Sequence, residues 1–279
     1  MSAVLCAFSA PARNPAALAE IEGVVPASRL EVRPQPRTIP TGIPQVDELT
    51  GSVPRGGLTE IFGPASSGRT SLLLALLAQM TAREEVCALV DASDAFDPQS
   101  AAAAGVDLER VLWVRCGKKV SSSSFLVSRK NSAAAEKRET RNEKLASVEQ
   151  ALRAADLLLQ AGGFGLLVMD LGDIPPAIAR RVPLTSWFRF RRAVENTATA
   201  LVVVEQEASA KSCASLVLRT QHSALSSQQS AKMVGPTPSH ARLLHGMQLE
   251  VEVLNSRILQ RKPVRSVTTS FESRASWVG

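Results

Sequence analysis

The chain contains no long uninterrupted run of apolar residues, and no stretch reaches the roughly eighteen that a membrane-spanning helix needs. Residues 1–11 also lack the basic start that precedes the apolar part of a secretory signal, so we expect no signal peptide. The apolar fraction of 45% is still enough to build a core in a chain of 279 residues. We therefore predict a soluble, cytoplasmic protein with one large domain.

Cysteine and histidine are sparse, and neither shows the spacing of a metal site. The four cysteines are scattered without a C-x-x-C pair, and the three histidines have no metal-ligand spacing. The cysteines are Cys6, Cys87, Cys116 and Cys213. Cys87 lies inside an apolar run, which is typical of a buried thiol in a reducing compartment. We therefore predict neither metal ligands nor disulfides among them.

The main motif is a glycine-rich segment between an apolar run and a leucine-rich helical pattern. It follows G-x-x-x-x-G-K-[ST], the phosphate-loop pattern, except that Arg69 replaces the lysine. Glycines in such a loop let backbone N–H groups point at an anion at the start of a helix. The predicted loop consists of Gly63, Pro64, Ala65, Ser66, Ser67, Gly68, Arg69, Thr70 and Ser71, with Thr70 facing Mg²⁺. The alternative is a turn that only caps a helix.

The arginine at position 69 limits what this loop is expected to do. Arginine keeps the positive charge of lysine, but it is a planar fork instead of a compact point charge on a flexible stem. We therefore expect nucleotide binding without efficient hydrolysis.

Apolar segments alternate with helical patterns along most of the chain. This alternation predicts an α/β fold with a mainly parallel sheet, flanked by helices and joined by right-handed crossovers. The predicted strands are 58–62, 86–90, 111–114, 166–170, 200–204, 214–218 and 249–254, and the predicted helices include 71–80, 99–104 and 145–159. The predicted organisation is a flexible arm at 1–38, a core at 39–260 and a basic tail at 261–279, which is either a docking segment or a frayed terminus.

The positive charge of the chain is concentrated in one segment. The net charge is +6 (32 minus 26), and residues 118–143 contribute +4 of it, with seven Lys or Arg against three Glu. Such an excess favours nucleic acid or another acidic partner. We interpret 118–143 as an inserted, solvated loop, which either grips phosphates or has no partner.

Two further segments carry polar residues of interest. Asp170 ends an apolar strand, where a carboxylate can reach Mg²⁺ at the edge of the sheet, although it is alternatively a simple strand end. Residues 187–192 interleave aromatic and basic side chains, which fits nucleic-acid binding or an amphipathic helix with solvated arginines. The predicted DNA-binding residues are Lys118, Lys119, Arg129, Lys130, Arg180, Arg181, Arg189, Arg191 and Arg192.

From about Ile39 to Pro263 the chain resembles the RecA recombinase core. The residues that carry the resemblance are Thr41-Gly42, Asp47, Gly63-Pro64, Ser66-Ser67-Gly68, Asp91-Ala92, Asp97-Pro98 and Gly105-Val106-Asp107. The resemblance implies ATP and Mg²⁺ as cofactors. It also implies roles for Arg69, Thr70 and Ser71 at the phosphates and the metal, for Asp97 on the adenine side, for Asp170 as the Walker B aspartate, and for Gln206 as the nucleotide-sensing glutamine.

The chain departs from the RecA pattern at catalytic positions. Ser93 stands where the family has the glutamate that orients water, and Ser100 stands where it has the tyrosine that stacks on adenine. The segments after Asp170 and Gln206, which hold the DNA-binding loops in RecA, are short here. Strand exchange is therefore not expected.

This combination resembles the ImuA type of RecA-like protein, which is grouped with SulA-like division inhibitors. The resemblance implies an accessory protein of damage-induced translesion synthesis that binds DNA and works with an ImuB-like polymerase homologue and an error-prone DnaE-type polymerase. RecA or a second copy of the chain is a further alternative for the partner. The alternatives in function are a reduced DNA-dependent ATPase or recombinase and a SulA-like inhibitor of cell division.

Overall fold

Strands and helices alternate along the chain as the apolar pattern predicts. The computed structural model describes residues 37–117, 133–222, 246–257 and 267–274. The helices are α1 (Pro44–Thr50), α2 (Arg69–Thr81), α3 (Pro98–Ala103), α4 (Ala133–Ala161), α5 (Pro176–Ala179) and α6 (Leu184–Val194). The strands are β1 (Thr38–Ile39), β2 (Val53–Pro54), β3 (Leu58–Phe62), β4 (Cys87–Asp91), β5 (Val111–Arg115), β6 (Leu166–Asp170), β7 (Ala200–Glu205), β8 (Leu216–His222), β9 (Gly246–Ser256) and β10 (Val267–Arg274).

Eight of these strands form one mixed, mostly parallel sheet in the order β10-β9-β8-β3-β7-β6-β4-β5. The run from β8 to β5 is parallel, whereas β9 and β10 add to one side in antiparallel pairs. The short strands β1 and β2 pair separately. This is the predicted α/β fold. Because β3 lies between β7 and β8, the segments that follow these three strands emerge side by side at one edge of the sheet.

The sheet is buried on both faces, and each face has its own apolar cluster. Leu166 and Val168 of β6 face the cluster that contains α2, whereas Leu167 and Met169 face the cluster that contains α4 and α6. This alternation follows from the two-residue period of a strand, and it explains why the central strands are apolar throughout. Among the described residues, no helix combines the length and apolar character that a membrane span requires.

Helix α4 begins earlier than the sequence pattern indicated. The apolar stripe from Leu145 to Leu159 predicted its second half correctly, but the helix starts at Ala133, inside the segment 118–143 that was predicted to be a loop. The loop prediction is therefore wrong for residues 133–143. This part is rich in Ala, Glu, Lys and Arg, which have high helix propensity even without an apolar face. The rest of the predicted insertion, 118–132, lies outside the described residues.

The predicted C-terminal tail also differs from the structure. Residues 267–274 form β10, which pairs with β9 along its whole length and ends the sheet. Phe271, which lies in the segment predicted either to dock a partner or to fray, is buried in the core. A short polar strand with one inward aromatic residue gives little apolar signal in the sequence, so its pairing depends on β9. The other parts of the tail, 261–266 and 275–279, and the predicted arm up to residue 36 lie outside the described residues.

Helix α6 has one buried face and one exposed face. Trp187, Phe190 and Val194 are buried against the sheet, as the helical spacing predicts, and the Trp187 and Phe190 rings meet edge to face. Phe188 lies on the opposite side and is 46% exposed. The amphipathic interpretation of this segment is confirmed.

This difference in burial gives a matched pair of stability variants. We expect Phe190→Ala to lower the free energy of unfolding by about 3–5 kcal/mol, because it removes a fully buried ring. Phe188→Ala should change it by no more than about 0.5 kcal/mol, because the ring is half exposed. Chemical denaturation of both variants measures the difference, and equal losses would contradict the packing of α6.

Candidate nucleotide site

The glycine-rich loop connects β3 to α2 and is held tightly in place. Gly68 lies in the left-handed region with φ of 90° and precedes the first turn of α2. A side chain at Gly63 would place its Cβ 2.2 Å from the carbonyl oxygen of Thr220, so only glycine fits there. The Ser67 hydroxyl is buried and lies 2.8 Å from the hydroxyl of Thr220 on β8. The loop therefore packs directly on the neighbouring strand.

The start of α2 has the properties of an anion site. No side chain caps this helix end. The first N–H groups of an α-helix have no acceptor within the helix itself, so this end can present them to an anion. Thr70 is exposed in the first turn, in the position predicted to face Mg²⁺. The loop conformation and the helix dipole both favour a bound phosphate here.

Arg69 does not extend into solvent from this helix end. Its side chain is only 8% exposed, and its Nη1 donates a hydrogen bond of 3.1 Å to the carbonyl oxygen of Gly172. Burial lowers the pKa of Arg69, while the charges of Asp170 and Asp173 partly offset this effect. The guanidinium therefore occupies the space between the phosphate loop and the segment after β6.

Asp170 lies at the end of β6 and faces the same space. Its Oδ1 accepts a hydrogen bond of 2.8 Å from the N–H of Gly172. Burial, together with the charges of Asp91 and Asp173, raises the pKa of Asp170 to about 6. At neutral pH the carboxylate is mostly ionised, so it can accept a cation.

A cavity of about 190 Å³ lies between α2 and the ends of β4 and β6. Its lining includes four predicted residues, Arg69, Thr70, Asp97 and Asp170. Its volume is below the roughly 300–1,000 Å³ of most ligand sites. The charge of Arg69 suits a phosphate, and the oxygens of Thr70 and Asp170 suit Mg²⁺. Among the described residues, no group of three or more His, Cys, Asp or Glu forms a metal site by itself.

Asp91 organises the loop on the other side of this cavity. It is almost fully buried, and its carboxylate accepts hydrogen bonds from the N–H of Ser93, the N–H of Phe96 and the Trp113 indole. The Ser93 hydroxyl lines the cavity and has no partner within the part of the chain that the structure describes. An unpaired buried hydroxyl marks a place where a ligand atom or water can bind.

Asp97, predicted on the adenine side, acts as the N-cap of α3. Its oxygens accept hydrogen bonds from the N–H groups of Gln99 and Ser100 and from the Ser100 hydroxyl. These bonds lower the pKa of Asp97. The carboxylate still lines the cavity, but its hydrogen-bonding capacity is largely used.

Gln206 is placed by the same carbonyl group as Arg69. Its Nε2 donates a hydrogen bond of 3.0 Å to the oxygen of Gly172, which therefore accepts from two side chains. Gln206 also lines a second, more open pocket with Gly63 and Pro64, two more of the predicted residues. The carbonyl oxygen of Gly172 thus connects three parts of the site: the end of the phosphate loop, the segment after β6 and the end of β7.

Sequence reasoning missed a pair of buried carboxyl groups beneath this site. Glu205 at the end of β7 is fully buried and lies beside Glu60 of β3. Glu60 accepts hydrogen bonds from the N–H groups of Ser209 and Ala210, and Glu205 accepts them from the N–H and hydroxyl of Ser209. Burial and the neighbouring Glu60 raise the pKa of Glu205 to about 10, so the pair holds a proton at neutral pH.

A carboxylate inside an apolar strand, as at Glu60, was the available signal for this pair. The pairing itself could not be read from the sequence, because Glu60 and Glu205 meet only when β3 and β7 become neighbours. The pair holds the segment 206–210, and this segment carries Gln206.

The predicted DNA-binding residues are only partly brought together. Arg180 forms an ion pair with Glu207, and Arg189 forms one with Asp156 at 3.1 Å. Arg181 and Arg192 are exposed, and Arg191 is half-buried. The other four, Lys118, Lys119, Arg129 and Lys130, lie outside the described residues.

Three of the four cysteines lie in the interior of the described part of the chain. Cys87, Cys116 and Cys213 are buried free thiols, and burial raises the pKa of each. Cys6 lies outside the described residues.

A strand, glycine-rich loop and helix at the carboxyl edge of a mostly parallel α/β sheet are the arrangement typical of P-loop proteins. The model of the RecA N-terminal domain family matches residues 27–119. Protein RecA of Mesorhizobium japonicum is 29% identical over 185 residues, which cover 61% of this chain and 43% of that protein. Protein RecA of Mycobacterium sp. (strain KMS) is 30% identical over 211 residues, which cover 68% of this chain and 52% of that protein.

A shorter match, to protein RecA of Kineococcus radiotolerans, is 34% identical over 142 residues and covers 50% of this chain and 32% of that protein. The chain thus spans about half the length, or less, of these curated relatives. The matches and the sheet together support a RecA-like family for this protein.

The buried carboxyl pair gives a pH-dependent prediction. The pKa of Glu205 is about 10 in the folded protein and near 4.5 when exposed, so the folded state binds a proton that the unfolded state releases in this window. Stability should therefore fall as the pH rises from about 6 to about 9. In Glu205→Gln, which cannot ionise, this slope should be weaker, whereas the exposed control Glu207→Gln should follow the wild type. Denaturant titrations at each pH measure the slopes, and parallel slopes for wild type and Glu205→Gln would contradict the shared proton.

Proposed function

We propose that this protein is a RecA-like accessory protein of the bacterial DNA-damage response, which binds ATP weakly and supports mutagenic translesion synthesis. The observation that carries the proposal is the hydrogen bond from Arg69 to the Gly172 carbonyl. The protein keeps a phosphate loop, but the residue that should meet the phosphates is engaged inside the protein. A site of this kind is suited to nucleotide binding or sensing and poorly suited to rapid turnover.

ATP and Mg²⁺ are the proposed cofactors. Residues 63–71 would hold the phosphates through backbone N–H groups, and Thr70 and Asp170 would hold the metal. Asp97 lies on the proposed adenine side, and Gln206 would sense the nucleotide. The absence of a carboxylate at Ser93 supports weak hydrolysis, because no acidic group at this position can orient water.

DNA and translesion polymerases are the proposed partners. Arg191 and Arg192 of α6, which form no ion pair within the described part of the chain, and the positive net charge support binding to a phosphate backbone. An ImuB-like polymerase homologue and an error-prone DnaE-type polymerase are proposed from the resemblance of the chain to ImuA-type proteins. Pull-down of the full-length chain with these two polymerases tests that step directly.

A reduced DNA-dependent ATPase is the second candidate. Thr70 and Asp170 line the same cavity, and this supports the second candidate, because a carboxylate is present where a Walker B aspartate is proposed. It differs from the first candidate in turnover: a true ATPase would hydrolyse ATP faster when DNA is present.

Nucleotide binding can be tested at Arg69. We expect Arg69→Lys to bind Mg-ATP roughly tenfold more tightly than the wild type, because the bond to Gly172 that competes with phosphate is removed. The exposed control Arg83→Lys should match the wild type.

Binding of Mg-ATP should weaken as the pH falls through about 6, where Asp170 takes up a proton. Calorimetric titration measures these constants, and robust DNA-stimulated hydrolysis that disappears in Asp170→Ala would replace this proposal with the second candidate.

DNA binding can be tested through its salt dependence. Replacing Lys118, Lys119, Arg129 and Lys130 by Ser should weaken binding and flatten the plot of log affinity against log salt, by roughly 0.7–0.9 for each phosphate that is no longer neutralised. Fluorescence anisotropy with labelled oligonucleotides measures both quantities. If affinity and slope are unchanged, these four residues do not contact DNA.

A further inference from the structure

We propose that single-stranded DNA binds along one flank of α6, at the edge of the sheet opposite the phosphate loop. This flank is formed by Leu184, Phe188, Arg191, Arg192, Lys211 and Arg257, and we call it the α6 flank. The proposal rests on the proposed DNA binding and adds the surface and the form of DNA that it takes.

The position of these residues follows from the neighbours of α6. On one side, Arg189 pairs with Asp156 of α4. On the other side, α6 packs against the 3-10 helix Lys211–Cys213. Leu184, Phe188 and Arg191 have the i, i+4, i+7 spacing of one helix face. The charge of Arg191 partly offsets the effect by which burial raises the pKa of the Cys213 thiol. This face of α6 therefore lies on the side of the 3-10 helix.

Arg257 brings a third part of the chain to the same place. Its guanidinium donates a hydrogen bond of 2.5 Å to the carbonyl oxygen of Ser212. Like Arg191, it favours a lower pKa of the Cys213 thiol. Arg191, Lys211 and Arg257 are separated in sequence, so their convergence appears only in the folded protein. Lys211 has φ of 50°, a left-handed conformation that is uncommon for lysine.

The charges on the α6 flank are not neutralised within the described residues. Arg191, Arg192, Lys211 and Arg257 form none of the ion pairs seen there, in contrast to Arg180 and Arg189. Besides burial, the charge of Glu60 raises the pKa of the Cys213 thiol. Glu60 is fully buried and already accepts backbone hydrogen bonds, and it forms no ion pair with the cations of the flank that the structure describes. Glu195 follows the end of α6 and is exposed. The cationic groups are therefore available to phosphates.

The exposed ring of Phe188 favours single strands over duplex DNA. Phe188 is 46% exposed and Leu184 is 40% exposed, one turn apart and next to the arginines. An aromatic face beside cationic groups can stack an unpaired base while the cations follow the backbone. In a duplex the bases are already stacked, so this ring would contribute little.

The α6 flank is separate from the candidate nucleotide site. Arg191 and Arg192 lie in the last turn of α6 before β7 begins, and Arg257 follows the end of β9 beside the start of β8. The phosphate loop follows the end of β3, which runs parallel to β7 and β8. Arg191, Arg192 and Arg257 therefore lie at the edge of the sheet opposite the phosphate loop, and DNA should bind equally well with and without ATP.

The test uses the full-length protein and fluorescence anisotropy with a labelled dT oligonucleotide and a duplex of the same length. The double variant Arg192→Ala/Lys211→Ala should bind the single strand roughly twentyfold more weakly at 0.1 M salt, with a salt slope about 1.4 smaller, because two phosphates are no longer neutralised. The control Arg83→Ala/Arg153→Ala removes the same charge from exposed residues elsewhere and should bind nearly as the wild type does. Phe188→Ala should bind roughly tenfold more weakly with an unchanged salt slope.

The outcomes separate this proposal from the proposed function. If the wild type binds DNA but the flank variants bind equally well, or if duplex is preferred to single strand, the α6 flank is not the binding surface and DNA binding stands. If the wild type binds neither form of DNA, the proposed function fails as well. Thermal melting of each variant checks that the loss of binding is not a loss of folding.

Discussion

The burial of both sheet faces is the constraint on which the rest of this structure depends. Apolar residues must fill both sides of the central strands, so polar residues are excluded from them except where they are paired. Functional groups are therefore concentrated where strands end, as at Asp91 and Asp170. The pair Glu60 and Glu205 is one buried polar group within these strands, and it is tolerated because a shared proton and backbone N–H groups compensate its charges.

The Gly172 carbonyl connects the parts of the candidate site. It accepts hydrogen bonds from Arg69 and Gln206, which belong to different segments of the chain. A Cβ at position 172 would come within 2.9 Å of Asp170 and 3.5 Å of Arg69 Nη1, so the absence of a side chain allows this close approach. Movement of Arg69 toward a phosphate would break one of these bonds. Nucleotide binding would thereby be linked to the position of the segment after β6.

Nucleotide binding and DNA binding are proposed at two different polar surfaces of the protein. The phosphate loop lies at the edge where the parallel strands end, and the α6 flank lies at the edge where they begin. The helix that contributes the flank also buries Trp187 and Phe190 against the sheet. Packing and the proposed DNA binding thus use different faces of the same helix, so the exposed face can be changed without loss of the core.

The sequence by itself determined the central strands and the glycine-rich loop between β3 and α2, because apolar runs and glycine spacing are local signals. For α6 it offered an amphipathic helix as one of two interpretations, with Trp187, Phe190 or Arg191, and Val194 on one face, and the structure buries Phe190. The sequence did not predict the helical start of α4 or the pairing of β10, since neither has an apolar pattern of its own. Only the tertiary structure decided where Arg69 points, that Glu205 faces the interior, and that Arg257 lies near Arg191, because each depends on contacts between segments far apart in the chain.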